Sequence, residues 1–347
     1  MINRREFLKR SAFGLALAGS GRLGASERDR PFTWSYLVHF GVNSWLDVPL
    51  ETQEPTKTPE SRLTRCMADH VRFDEDSWRR ISAELAKSGC NQIVIDLAEI
   101  VRYPSHPELA VKGTWSVDRL RAELDRLRGM GFEVIPKMNF STCHDTWLGE
   151  YQRMVSTSTY YRVCEDVIRD AIEIFDRPRL FHIGYDEETA SFQRNHLLAV
   201  CRQGELWWHD LLKIVNAVEK QGCRAWMWSD YILAHKDEYL KRMPKSVLQS
   251  NWYYDATFEP GANGQLRDRI AAYEWLDAAG FDQVPTGSNF SCDTNFEGTV
   301  RFCDTHCSPE RIKGYLMASW ARPFKIYEEK ALSAVRQLAA VTGKRKI

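Results

Sequence analysis

The decapeptide FHIGYDEETA, Phe181 to Ala190, closes an apolar, β-prone run with three successive carboxylates, Asp186, Glu187 and Glu188. A carboxyl group beside an ionised neighbour and against apolar rings keeps its proton to higher pH, which is what a general acid needs near neutrality. Adjacent residues on a strand point to opposite faces. Asp186 and Glu187 therefore serve one ligand only if the strand ends at Tyr185 and the backbone turns there. Glu188 is then expected to face a helix or solvent. The plainer alternative is that the three acids open the next helix, where carboxylates favour the macrodipole.

Positioning such a pair takes a scaffold, and the hydrophobic pattern describes one. Eight short apolar runs read as strands: Trp34–Val42, Asn91–Ala98, Phe132–Asn139, Leu180–Tyr185, Arg224–Ser229, Ser246–Tyr254, Gln283–Asn289 and Gly314–Trp320. Amphipathic stretches lie between them. In SVDRLRAELDRLRGMG, Ser116 is a plausible N-cap, Leu120, Leu124 and Leu127 share one face, and Gly129 and Gly131 stop the helix. Similar patterns cover Asp74–Gly89, Tyr160–Phe175, Glu205–Gly222, Gly264–Gly280 and Lys325–Val341. Eight strands alternating with helices predict an α/β fold, a (β/α)8 TIM barrel, with a doubly wound open sheet as the competitor. The least regular segment, Leu46 to Phe73, reads as a long loop after the first strand, a place where function is common.

In such barrels the site gathers at the carboxyl ends of the strands. Those ends hold Asp96 and Glu99, Asn139 and His144, Asp186 to Glu188, Trp228 and Asp230, Trp252, Tyr253 and Asp255, Asn289 and Asp293, and Trp320. Aromatic faces cover the C–H faces of a pyranose while carboxylates hold hydroxyls and move protons, so this rim predicts a carbohydrate ligand. Any one tryptophan alone is better explained as a cap on the barrel core, and His144 alone as a loop histidine.

The sequence HIGYDE resembles the H-x-G-G-D-E signature of family 20 glycoside hydrolases, the β-N-acetylhexosaminidases, with His182, Gly184, Asp186 and Glu187 in matching places. WYYD, Trp252 to Asp255, is similar to that family's W-Y-x-D, WMWSD to its strand-five tryptophan and acid, and Trp320 to the tryptophan that closes its sugar pocket. The resemblance implies substrate-assisted retention: the sugar's own acetamido oxygen attacks the anomeric carbon. It implies Glu187 as general acid/base, Asp186 as the group orienting the acetamido N–H, and Tyr253 as the donor to the acetamido oxygen. Trp228, Trp252 and Trp320 would wall the pocket, Asp255 would take a sugar hydroxyl, and His144 would orient Glu187 through a network that includes Asp96. His182, Asn139 and Asp230 complete the implied sugar-binding set. No metal or organic cofactor is implied.

Departures from the family gather on groups that recognise the sugar rather than on the acids. Tyr185 replaces a glycine, which is expected to crowd the site or add a hydroxyl to it. The first strand offers His39 and Asn43 where the family has an arginine, strand three has KMNFSTCHD in place of P-G-H, and Arg322 follows Trp320 where an acid is usual. The accessory N-terminal domain common in the family is not expected among these residues. Arg322 raises the expectation of a sulfated or carboxylated sugar.

The remaining features bound the context. Asn3 to Arg10, NRREFLKR, precedes the short apolar run Ser11–Gly19, a pattern resembling a twin-arginine export signal over residues 1–26, ahead of a single catalytic domain over 27–347. Periplasmic or secreted location is expected, with no lipobox cysteine and hence no membrane anchor. Nine cysteines leave at least one thiol unpaired, and CDTHC, Cys303 to Cys307, lacks the second ligand pair of a zinc site. Lys plus Arg equals Asp plus Glu at 47 each, so no net field draws a nucleic acid. Three functions compete: an exported exo-acting N-acetylhexosaminidase, a degenerate barrel that binds sugar without turnover, and a glycosidase with a protein nucleophile. The last needs two carboxylates about 5 to 5.5 Å apart.

Overall fold

Continuous apolar runs are what strands buried on both faces require, and here they assemble into one ring. The computed structural model describes residues 32–50, 63–259 and 264–344. The export signal expected at 1–26 lies outside them. Parallel strands β1 (Thr33–His39), β2 (Gln92–Asp96), β3 (Glu133–Lys137), β4 (Leu180–His182), β5 (Arg224–Trp228), β6 (Leu248–Ser250), β7 (Thr286–Gly287) and β8 (Gly314–Met317) pair in the order β6-β5-β4-β3-β2-β1-β8-β7. Backbone hydrogen bonds then join β6 to β7: Gln249 N to Asp282 O at 3.0 Å, Val284 N to Gln249 O at 2.8 Å and Thr286 N to Asn251 O at 2.9 Å. This closure makes a (β/α)8 barrel and excludes the open sheet.

Helices α1 (Glu75–Leu85), α2 (Val117–Gly129), α3 (Ser158–Ile174), α4 (Glu205–Glu219), α5 (Ile232–Arg242), α6 (Gly264–Ala278), α7 (Asn295–His306) and α8 (Glu328–Thr342) follow the strands. The Ser116 side chain accepts from Arg119 N at the start of α2, whose Leu120, Leu124 and Leu127 are buried. Helix α5 escapes the pattern because only Ile232 and Tyr239 are buried on it, too few to make a stripe, and it kinks at His235. Among the described residues no helix is long and apolar enough to cross a membrane. None of the nine cysteines is in a disulfide.

Side-chain alternation sorts the barrel interior into tiers. Leu37, Val94, Ile135, Leu180, Trp226, Leu248 and Leu316 form an apolar plug. Two residues further along the first four strands stand His39, Asp96, Lys137 and His182, all buried and each the register partner of the next. The plug thus gives way to a polar layer toward the carboxyl ends. The regular strands are shorter than the apolar runs suggest, although hydrogen bonds between neighbouring strands continue past the polar layer, as from Phe140 N to Ile183 O at 3.1 Å and from Ala318 N to Gly287 O at 2.9 Å.

Candidate active site

Beyond β4 the backbone departs from extended geometry: φ is +66° at Gly184, +77° at Tyr185 and +59° at Glu187. The left-handed region costs a non-glycine residue on the order of 1–3 kcal/mol and persists only where the surroundings hold it. Here they do. Asn139 Oδ1 accepts from Tyr185 N at 2.9 Å, Asp230 Oδ2 accepts from Glu187 N at 3.0 Å, and the Ser141 hydroxyl donates to Asp186 O. A Cβ on Gly184 would stand 2.2 Å from the Asn139 side chain, so that position must be glycine. The turn breaks strand alternation, and Asp186 and Glu187, although consecutive, line one cavity of about 620 Å³ at the barrel mouth.

His144 binds the pair. Its Nδ1 donates to Ser44 O at 3.0 Å, which leaves Nε2 toward the acids, 3.2 Å from Glu187 Oε2 and 3.6 Å from Asp186 Oδ2. Burial alone would lower the imidazole pKa, but the Asp186 charge, then the Glu187 hydrogen bond and charge, outweigh it and raise it to about 9. His144 is therefore an imidazolium at neutral pH. Asn139 Nδ2 donates to Asp186 Oδ1 at 2.8 Å and fixes the second carboxylate. Asp230 lies beneath, accepting from Glu187 N and, at 3.4 Å, from Trp252 Nε1. Burial, then the Asp186 charge, raises its pKa to about 7.

The polar layer is the cavity floor, where Lys137 Nζ meets Asp96 Oδ2 at 2.5 Å with both side chains buried. His39 Nε2 lies 3.5 Å from the same oxygen, outside hydrogen-bond range, and neither His39 nitrogen has a hydrogen-bond partner. The walls are aromatic: Trp252, Tyr254 and Trp320, with Trp45, Phe192 and Phe290 toward the rim. The Trp320 ring lies 5.4 Å from His39 and 6.3 Å from Tyr254. The Tyr254 hydroxyl and the Trp320 indole N–H are both buried and turn toward each other, with no other side chain bonded to either.

The expected site residues divide accordingly. Asp186, Glu187, His144, Asn139, Trp252 and Trp320 meet at the cavity. Tyr253 does not: it is buried against Phe258 with its hydroxyl donated to Thr257 O, and Tyr254 takes the cavity face. Asp255 also lies off the cavity, its carbonyl accepting from Asn295. Trp228 and His182 sit one tier down, rings 4.5 Å apart, with Trp228 under Trp320. Asp96 bonds Lys137 rather than His144. Tyr185 neither crowds the cavity nor lends it a hydroxyl, because its ring is buried behind β4 beneath Arg202 and against Trp207. Glu188 does not face solvent; it is ion-paired with Arg202 at 2.6 Å, both side chains buried, and Arg202 in turn reaches Asp210 on α4.

Tyr254, Lys137, Trp45, Arg65 and Lys330 were not foreseen as lining residues. Two of them carried a signal: Lys137, a lysine at the carboxyl end of a buried strand, and Tyr254, which shares the strand face of Trp252. Among the described residues one trio has ligand atoms close enough to hold a metal ion, namely His144, Asp186 and Glu187, all within 4.8 Å. The same trio is equally a place to hold a proton.

No family model matches the chain, and no curated protein matches it in sequence. Solved structures do. Dispersin B superposes with a TM-score of 0.55 at 13% identity, over 77% of this chain and 95% of that one. A family 20 exo-β-N-acetylglucosaminidase from Vibrio harveyi, in complex with N-acetylglucosamine, gives 0.57 at 13% over 89% and 54%. A mutant β-hexosaminidase from Streptomyces plicatus, bound to its product GlcNAc, gives 0.59 at 12% over 90% and 63%. The chain thus spans little more than half the length of the latter two proteins. At these identities the likeness is one of fold, and the chain shares the barrel on which family 20 hexosaminidases are built.

Proposed function

We propose that the protein is a retaining glycoside hydrolase acting on terminal N-acetylhexosamine by substrate-assisted catalysis. The observation that carries this reading is the turn at Tyr185 and Glu187, which aims two consecutive carboxylates into one aromatic-walled cavity with an imidazolium against both. Two acids on one side of the sugar suit a mechanism in which the substrate supplies its own nucleophile. A protein nucleophile would instead act from the face opposite the acid.

In this mechanism Glu187 protonates the leaving glycosidic oxygen, the His144–Glu187 pair holding the proton until it is needed. The acetamido oxygen attacks the anomeric carbon. Asp186, fixed by Asn139, accepts the acetamido N–H and balances the positive charge that grows on the oxazolinium ring. Tyr254 supplies the hydroxyl toward the acetamido oxygen; its pKa is raised by burial, opposed by a hydrogen bond with Trp320, and raised further by the charges of Asp186 and Glu187, which puts it within their field. Trp252 and Trp320 cover the ring faces, and the unpartnered nitrogens of His39 meet sugar hydroxyls. Water then opens the oxazolinium with Glu187 as base. Export through the twin-arginine route is part of the proposal, checked by mass spectrometry of the N-terminus in periplasmic and cytoplasmic fractions.

The direct test is hydrolysis of an aryl N-acetyl-β-glucosaminide or galactosaminide. The reading requires turnover that is lost in Glu187→Gln and blocked by a thiazoline mimic of the oxazolinium. Binding without turnover indicates a degenerate barrel, and activity on plain glucosides alone indicates a protein nucleophile.

A further inference from the structure

Among the described residues, the cavity carries more cations than carboxylates to match them. Its acidic lining residues are Asp96, Asp186 and Glu187. Each is already engaged, Asp96 by Lys137, Asp186 by Asn139 and His144, and Glu187 by His144. Left over are Arg322, Arg65 and Lys330, which line the same cavity on its β8 and β1 side. Among the described residues none of the three is in an ion pair.

Arg322 is the informative member. It is 9% exposed, its guanidinium lies 3.9 Å from the centre of the Trp45 ring, its Nη1 donates to Trp320 O at 2.8 Å, and its Nε has no hydrogen-bond partner. Burying a guanidinium without an acid is costly, so such a site is incomplete until an anion enters. Burial draws its pKa down to about 9, Tyr327 opposing the shift and Arg65 and Arg72 adding to it. Lys330, 5.0 Å from the Phe290 ring, is also lowered by burial and then by Arg322, with Asp293 acting the other way. In an eight-stranded ring β8 stands opposite β4, so this corner lies across the mouth from Glu187. A sugar whose glycosidic oxygen is at Glu187 turns its far edge toward Arg322.

We infer that Arg322, with Arg65 and Lys330, forms a subsite for an anionic ester, a sulfate or phosphate, on the edge of the N-acetylhexosamine ring remote from its anomeric carbon. The inference rests on the proposed sugar-binding reading of the cavity. The planar fork of Arg322 suits a tetrahedral oxyanion, while the more exposed Arg65 and the ammonium of Lys330, both within reach of its field, add charge.

Calorimetric titration of the full chain with N-acetylglucosamine, its 4- and 6-sulfates, its 6-phosphate and glucose 6-sulfate tests this. At least one ester is expected to bind about tenfold or more tighter than the neutral sugar, as charge-assisted hydrogen bonds would give. The preference should collapse in Arg322→Gln and shrink in Arg65→Gln, which alters an exposed side chain and guards against misfolding of the first variant. Whichever of sulfate and phosphate binds tighter names the ester. Equal binding of neutral and esterified N-acetylglucosamine overturns the anionic subsite and leaves the hexosaminidase reading standing. Equal binding of glucose 6-sulfate and N-acetylglucosamine 6-sulfate keeps the subsite and overturns the acetamido reading. No binding of any of the five overturns both.

Discussion

Glu187 and Glu188 are neighbours with opposite fates. The Glu187 side chain is 24% exposed into the cavity and accepts a hydrogen bond from His144, whereas the Glu188 side chain is 2% exposed and locked to Arg202. Glu188 also accepts from Thr142 N at 3.2 Å and Arg202 N at 2.7 Å, and Arg202 reaches on to Asp210 at 3.3 Å and to Phe140 O at 2.8 Å. One carboxylate is satisfied within the fold and the next is left with its chemistry unspent. The backbone turn separates them, and their partners give the two groups different kinds of importance: on the proposed reading Glu187 governs rate, while Glu188 governs stability.

Substitutions should pull these roles apart. The largest effect belongs to Glu187→Gln, expected to lower kcat by about 10²- to 10⁴-fold, as loss of a general acid does, with the melting temperature little changed. At Glu188, Gln should do the reverse: leave the buried Arg202 with Asp210 as its remaining acidic partner and cost up to about 3 kcal/mol in chemical denaturation, the lower end of what breaking a buried pair costs. A loss of activity in Glu188→Gln that exceeds its loss of folded protein would erase the contrast. His144→Gln is expected to cost about 10- to 100-fold in activity, the usual loss when the partner orienting a reactive group is removed. His144 is also expected to set the alkaline limb: kcat/KM of the unmodified protein falls as pH rises through about 9, where the raised imidazole gives up its proton, and His144→Gln removes that limb. The smallest effect contrasts two more neighbours. Tyr254→Phe should lower activity about tenfold through one lost hydrogen bond in the transition state, while Tyr253→Phe loses only a structural bond to Thr257 and leaves kinetics alone.

The barrel was legible because each β/α unit advertises itself locally, through apolar runs and capped amphipathic helices such as Ser116 to Gly129. The acids of HIGYDE were legible because a strand end and a charge cluster coincide. Tyr253 follows from the resemblance to W-Y-x-D, whereas strand alternation points to its neighbour: Leu248 faces the plug, and the same parity carries Trp252, still bridged to Thr286, and Tyr254 to the cavity and turns Tyr253 away. Trp228 belongs to the core because strand-end tryptophans at successive inward positions stack in tiers, and periodicity does not say which tier is uppermost. The Asp96–Lys137 and Glu188–Arg202 pairs join residues 41 and 14 positions apart, and composition gives no sign of which opposite charges will meet.

The measurement that tests the central claim most directly is the turnover of aryl N-acetyl-β-glucosaminide, neutral and 6-sulfated, beside the corresponding β-glucoside, with the product anomer followed by NMR. The account predicts release of the β-anomer from an acetamido substrate, none from the glucoside, and none in Glu187→Gln. Hydrolysis of the glucoside at a comparable rate, inversion at the anomeric carbon, or undiminished activity in Glu187→Gln would contradict it.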